Sequence, residues 1–337
     1  MVLLSTIHSI FSFYLALLVV SLGTSGASHG VTWPVAVAAW FRRQQARAFG
    51  IAMMGPVVAG PFLFIVALME QHFGWRHSLL ILGVGVWVVG IPLALIVRSD
   101  PERYGYLPDG DTPDPTRAMT QTAGAATGSG NRDGLTTRQV VRTKAFWLLS
   151  LILGLQFLAT SGVTVHLIPL LEDIEYSPAY AATILGTVFL LSGIGRIGTG
   201  MIADVVSHRL VISGLLALQV IALLLLSTLR SGQYIQVGLF ALLFGVGFGG
   251  MIPLRPYIVR RLFGAKSYGA IQGLIQGVAV ATGVLGPIVY GRAFDVTHSY
   301  NLAIYASIVV LVVGIPLAFA LSLPALPAKD SSVQVSH

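Results

Sequence analysis

AFWLLSLILGLQFLATSGVTVHLIPLL, residues 145–171, contains no Asp, Glu, Lys or Arg over its whole length. As a helix rising about 1.5 Å per residue, a run of that kind crosses a hydrocarbon core of roughly 30 Å. Similar runs recur on both sides of it. Spans are expected at Phe49–Met69, Ser78–Val97, Ala179–Ile202, Leu210–Leu229, Tyr234–Val259, Tyr268–Tyr290 and Leu302–Leu323. Before Phe49 two readings stand. Hydropathy alone places a helix at Val2–Leu22 and leaves Val31–Phe41 too short to span; the alternative is a break near Ser9–Ser12 followed by one long helix, Phe13–Trp40.

Composition agrees with a membrane solvent. Hydrophobic residues make up 55% of the 337 and charged residues 10%, with a mean hydropathy of +0.82. A soluble domain carries roughly 25% charged residues. Backbone groups in lipid must be satisfied internally, and the ~10-residue alternating segments of a β-barrel are absent, so the spans are helices. The net charge of +7 does not mark a nucleic-acid binder. Lys and Arg sit in short loops between apolar runs and build no basic domain, which is the positive-inside pattern. There is no cysteine, so disulfides and thiol chemistry are excluded. No charged n-region or small-residue cleavage site marks the first run, so no cleavable signal peptide is expected.

Alternate loops carry the basic residues. One set holds Arg42, Arg43 and Arg47, then the stretch Arg98–Lys144, Arg196 with Arg209, and Arg260, Arg261 and Lys266; the opposite set holds Arg76, Arg230 and Arg292. The first set is assigned to the cytoplasm. The acidic loop Glu172-Asp173-Ile174-Glu175 then falls outside. Reporter fusions at Gly128 and His337 are therefore expected to report the same, cytoplasmic side; opposite sides would overturn the orientation.

The one long hydrophilic stretch, Ser99–Thr143, contains Asp-Thr-Pro-Asp-Pro at 111–115 and a Gly/Ala/Thr/Ser run at 122–130. It reads as a flexible linker between two membrane parts. It is too short for a nucleotide-binding domain and lacks Gly-x4-Gly-Lys-Ser/Thr, which disfavours an ATP-driven pump. The two parts look related. Gly90-Ile91-Pro92-Leu93-Ala94 recurs as Gly314-Ile315-Pro316-Leu317-Ala318, Arg42-Arg43 as Arg260-Arg261, and Ala48-Phe49-Gly50 resembles Ser267-Tyr268-Gly269. Parallel repeats of this kind occur in secondary transporters.

Trp40–Ile51, Gly74-Trp75-Arg76, Asp100-Pro101-Glu102 with Pro108-Asp109-Gly110, Gly195-Arg196 with Gly200–Asp204, and Gly291–Asp295 with Ser299-Tyr300 follow one another in order. Together they resemble the major facilitator superfamily, and within it the oxalate/formate and monocarboxylate transporter branch. The resemblance implies an all-α membrane protein of two bundles, with roughly nine complete spanning helices plus an N-terminal stub. Its units would be an incomplete N-terminal bundle at 1–98 (the end of family helix 3 to helix 6), the linker 99–143, a six-helix bundle at 144–323 and a cytoplasmic tail at 324–337. On that alignment Met1–Ser9 is the end of family helix 3 and Phe13–Trp40 is helix 4, which favours the second of the two readings above. Family helices 1 and 2 and most of helix 3 are missing, so either the true start lies upstream or the chain is a fragment.

The function implied is secondary active or facilitative transport of a small solute, an organic anion such as a monocarboxylate, by alternating access across the cell membrane. The competing reading is a non-transporting remnant or membrane sensor of the same fold. An enzyme is not expected. No metal-ligand spacing, phosphate loop or nucleophile–base pair is present, and no cofactor is expected. The partners are the bilayer, an anionic small molecule and, as an open question, a coupling proton.

Ionisable residues inside spans are costly and are functional candidates by default. Arg196 lies within Ala179–Ile202. The resemblance implies that it binds the substrate carboxylate, and a guanidinium in low dielectric can do so bidentately. The bland reading is snorkelling to the interface, or pairing with Asp204. The branch has an acid one turn earlier, where Ser192 stands here. His166, in the family's seventh helix, suits a proton or anion switch; otherwise it is a hydrogen-bonded interfacial histidine. His29 in the fourth helix has a similar case. Arg255, between Pro253 and Pro256, either snorkels or turns inward, and Gln156 is a neutral polar residue for the cavity wall. Asp204 reads as a gate with Arg209, Arg260 and Arg261, complementing the positive N-terminus of the eleventh helix near Ser267–Gly269. The family's Arg after this Asp is replaced by Val205.

Overall fold

The computed structural model describes residues 2–7, 9–27, 32–41, 43–96, 104, 106, 109 and 134–321. His29, most of the linker and the tail 324–337 lie outside the described residues. Among the described residues every regular element is helical. In chain order these are α1 (Val2–Ser5), α2 (Ile10–Ala27), α3 (Thr32–Trp40), α4 (Gln45–Ala52), a 3-10 turn at Gly55–Val58, α5 (Ala59–Ile96), α6 (Thr137–Val141), α7 (Lys144–Asp173), α8 (Pro178–Ile202), α9 (His208–Ser227), α10 (Tyr234–Phe263), α11 (Tyr268–Thr297) and α12 (Asn301–Ala320). Seven of the described helices are long and apolar enough to cross a membrane: Leu68–Ile96 and α7 to α12.

Two expected spans take a different form. Phe49–Met69 is interrupted between α4 and α5 by the 3-10 turn. Pro56 has no N–H to donate and disfavours helical geometry at Gly55 before it. The break between Phe49–Met69 and Ser78–Val97 appears as a kink inside α5 at Gly74, with φ 72° and ψ 162°, a region that is essentially restricted to glycine.

Helix starts are chemically specified. The Thr143 hydroxyl accepts from Phe146 N–H at 3.2 Å, capping α7. The Ser177 hydroxyl accepts from Tyr180 N–H at 3.3 Å, with Pro178 at the first helical position of α8. Such caps satisfy donors that a helix start leaves open. At the expected outer end, Tyr176, Tyr180 and Tyr234 form a ring cluster with centroids 5.3–5.7 Å apart, the kind of aromatic anchor found at membrane interfaces.

Helices α7 to α12 share one core. The closest pairings are α8 with α10, α7 with α11, and α9 with both α10 and α12. Helix association in lipid relies on close packing rather than on a hydrophobic drive, and glycines make the α8–α10 seam close. A Cβ at Gly249 would overlap the Ser192 carbonyl, one at Gly195 would overlap the Val246 carbonyl, and one at Gly245 would come within 2.7 Å of the Val188 oxygen. The outward faces stay apolar, for example Leu190, Ile194 and Met201 at 58, 55 and 54% exposure, as a lipid-facing surface requires. The part of α5 after Gly74 is apolar on nearly every side and mostly exposed.

Candidate functional site

The contact between the two membrane parts is made mainly by the short α4 against α8, with α10 also touching α4. A Cβ at Gly50 would lie 2.8 Å from the Arg196 carbonyl oxygen, and one at Gly200 would lie 2.8 Å from that of Ala46. The backbones therefore approach through glycine on both sides. At the far end of α4 the Arg196 guanidinium donates through Nη1 to the carbonyl of Met53, the C-cap residue of α4. At the near end Asp204 Oδ1 accepts from Ala46 N–H at 3.3 Å, in the first turn of α4. Arg196 of α8 and Asp204 of the turn that follows it thus hold both ends of α4. The cation sits at the negative C-terminus and the anion at the positive N-terminus, the favourable sense for each.

Arg196 is 1% exposed, the largest fully buried side chain in the described structure. It does not snorkel, and Asp204 is not its partner. Among the described residues its Nε has no hydrogen-bond partner, and neither does Asp204 Oδ2. Asp204 caps α4 rather than the start of α11, where it was expected. An acid that follows α8 in the C-terminal part thus meets a helix start in the N-terminal part.

The basic residues expected beside Asp204 are distributed. Arg209 Nε donates to the Leu321 carbonyl at 2.7 Å, holding the end of α12. Arg260 and Arg261 occupy the last turn of α10. Arg261 donates to the Tyr257 hydroxyl at 2.9 Å, and that hydroxyl donates to the Ala203 carbonyl, also at 2.9 Å. Tyr257 thereby ties α10 to the residue before Asp204.

Arg255 turns inward. Its Nη1 donates to Gln276 Oε1 on α11, and its guanidinium carbon lies 6.0 Å from the ring centroid of Phe157 on α7. The residue is half-buried, its Nε is buried without a partner, and no carboxylate pairs with it among the described residues.

His166 is partly exposed and Gln156 is buried. His166 Nε2 lies 3.1 Å from the Pro287 carbonyl of α11, and its ring stacks on Tyr290 at 5.9 Å. The same seam answers the proline. Pro287 cannot donate to Gly283, and the Ser161 hydroxyl donates to that carbonyl instead, at 2.6 Å. Side chains of neighbouring helices commonly satisfy groups that proline frees. Gln156 is 2% exposed. Its amide donates to Thr160 Oγ1 at 2.8 Å and to Gln219 Oε1 at 3.3 Å. That network staples α7 to α9, so Gln156 is not placed on a cavity wall.

Four residues escaped the sequence reading: Phe157, Gln219, Tyr257 and Gln276. Gln219 and Gln276 were legible as amides inside apolar runs, but nothing in the runs says which helix each faces. Among the described residues no group of three or more His, Asp or Glu could hold a metal ion.

A family model described as Major Facilitator Superfamily matches residues 1–287 and, again, 168–335. Among similar curated proteins, Monocarboxylate transporter 12-B of Danio rerio is 22% identical over 302 residues, covering 85% of this chain and 63% of its own. Monocarboxylate transporter 1 of Bos taurus is 26% identical over 305 residues, covering 82% of this chain and 59% of its own. Uncharacterized MFS-type transporter YcxA of Bacillus subtilis (strain 168) is 25% identical over 297 residues, covering 83% and 65%. The chain thus spans less than two thirds of these relatives' lengths.

Proposed function

The chain belongs to the Major Facilitator Superfamily, and from that premise we propose that it moves a small organic anion, such as a monocarboxylate, across the membrane by alternating access. It is an integral, multi-pass membrane protein, and its family and relatives are transporters rather than enzymes. The observation that carries the anion reading is the pair Arg196 and Arg255. Both lie inside spans, both donate to a neutral oxygen, and both keep a buried Nε without a partner among the described residues. A buried cation without an acid is costly unless something compensates it, and an anionic solute would.

The α4–α8 contact supports the alternating-access part of the reading. Asp204 and Arg196 hold α4 only while the two parts lie together at that end, so opening would break both interactions at once. Coupling to a proton has less to rest on. Ser192 stands where the related branch has an acid, and His166 is engaged with the Pro287 carbonyl.

The test is uptake by proteoliposomes containing the purified full-length protein. Labelled monocarboxylates should accumulate or exchange above protein-free vesicles, whereas a neutral sugar and an organic cation should not. Uptake of the sugar or the cation instead would overturn the anion assignment. Folded protein that moves none of them would favour the non-transporting reading.

A further inference from the structure

Arg255, Gln276 and Phe157 come from three helices, α10, α11 and α7, and meet at one place. Gln276 and Gly283 are seven residues apart on α11 and so share a face. Gly283 is where the Phe157 ring lies, because a Cβ there would overlap that ring. The ring is therefore braced edge-on against α11 while the guanidinium of Arg255 stands off it at 6.0 Å. Gln276 supplies that guanidinium with a neutral amide oxygen through one nitrogen, leaving Nε unused. Arg255 as a whole is partly exposed, although its Nε is buried.

A guanidinium has five N–H donors in a planar fork matched to a carboxylate. A neutral amide is a weaker acceptor than an anion in the same place. Resting on the organic-anion reading above, we infer that these three residues form a binding subsite for a carboxylate that carries an aromatic or other apolar body. The carboxylate takes the fork of Arg255 and displaces Gln276 as its acceptor. The apolar body packs on the ring of Phe157. Gln276 is thus the internal stand-in that keeps the cation hydrogen-bonded when no substrate is present.

The subsite is tested with two probes of one charge and different bodies, acetate and benzoate, in equilibrium binding to the purified full-length protein. Benzoate should bind more tightly than acetate. Gln276→Glu is the decisive variant. It keeps the side chain's size and gives Arg255 a permanent carboxylate, so the fold should be at least as stable while benzoate affinity falls by at least about tenfold. Phe157→Leu should keep acetate binding and reduce the benzoate preference by roughly three- to tenfold. If Arg255 only tethers α10 to α11, Gln276→Glu strengthens the tether and benzoate binds as to wild type, which overturns the subsite and leaves the anion reading standing. If the wild-type protein binds neither carboxylate, the anion reading itself fails, and the subsite with it.

Discussion

Gly249→Val is expected to be among the most damaging single substitutions in the C-terminal bundle, lowering stability by roughly 3 kcal/mol or more. The position has no room. A Cβ there would overlap the backbone carbonyl of Ser192 on α8, and a backbone atom cannot rotate away as a flexible side chain can. Relief requires α8 and α10 to separate, which also opens the contacts of Gly195 with Val246 and of Gly245 with Val188. In lipid those contacts are the main attraction between the helices, because apolar side chains gain little by leaving one apolar medium for another. The control lies on the same helix. Gly238 has nothing within 4 Å of its would-be Cβ and is exposed, so Gly238→Val should melt like wild type or slightly higher, valine being the better helix former. Thermal unfolding and size-exclusion profiles in detergent separate the two. A Gly249→Val protein that elutes and melts as wild type would show that the α8–α10 seam is looser than its geometry.

How far the sequence could be read follows from which physical signal each feature leaves. Spans leave a strong one, since some twenty apolar residues must appear together, and the helices from Lys144 to Ala320 sit where the runs are. Breaks leave a weaker one. Gly55-Pro56 lies within an apolar run that hydropathy carries through to Met69, yet the missing N–H of Pro56 divides it. The presence of Arg196 inside a span was legible from its charge alone, and its burial bears on role without deciding it. Partner choice was not legible. Asp204 could be placed at a helix N-terminus from its charge, but choosing α4 over α11 requires knowing that the acid of one part meets the other part. Neutral residues were the least visible. Gln156 and Gln276 look alike in sequence, yet one is sealed in a staple with Thr160 and Gln219 and the other faces Arg255. Only the three-dimensional direction of each side chain separates them.

Arg196→Lys is expected to weaken carboxylate binding by roughly ten- to a hundred-fold, the loss of a charge-assisted hydrogen bond. The geometry now defines its rival role sharply. With 1% exposure the residue does not snorkel; the competing view is that it serves only to cap α4 through the Met53 carbonyl. A lysine keeps the positive charge and can donate to one carbonyl, so a pure cap tolerates the change. It lacks the planar fork, so a carboxylate site does not. The two roles can also alternate in one residue. A carboxylate arriving at the unused Nε would draw the guanidinium from the end of α4, leaving Asp204 and the glycine-mediated backbone packing to hold α4 against α8. Binding and release of that end would be coupled by competition for one side chain. Affinity for a monocarboxylate should be measured on purified wild-type and Arg196→Lys full-length proteins of matched melting temperature. Equal affinities would assign Arg196 to holding α4 and leave the anion to Arg255. A strong loss at unchanged stability would show that Arg196 contributes to holding the carboxylate in addition to Arg255.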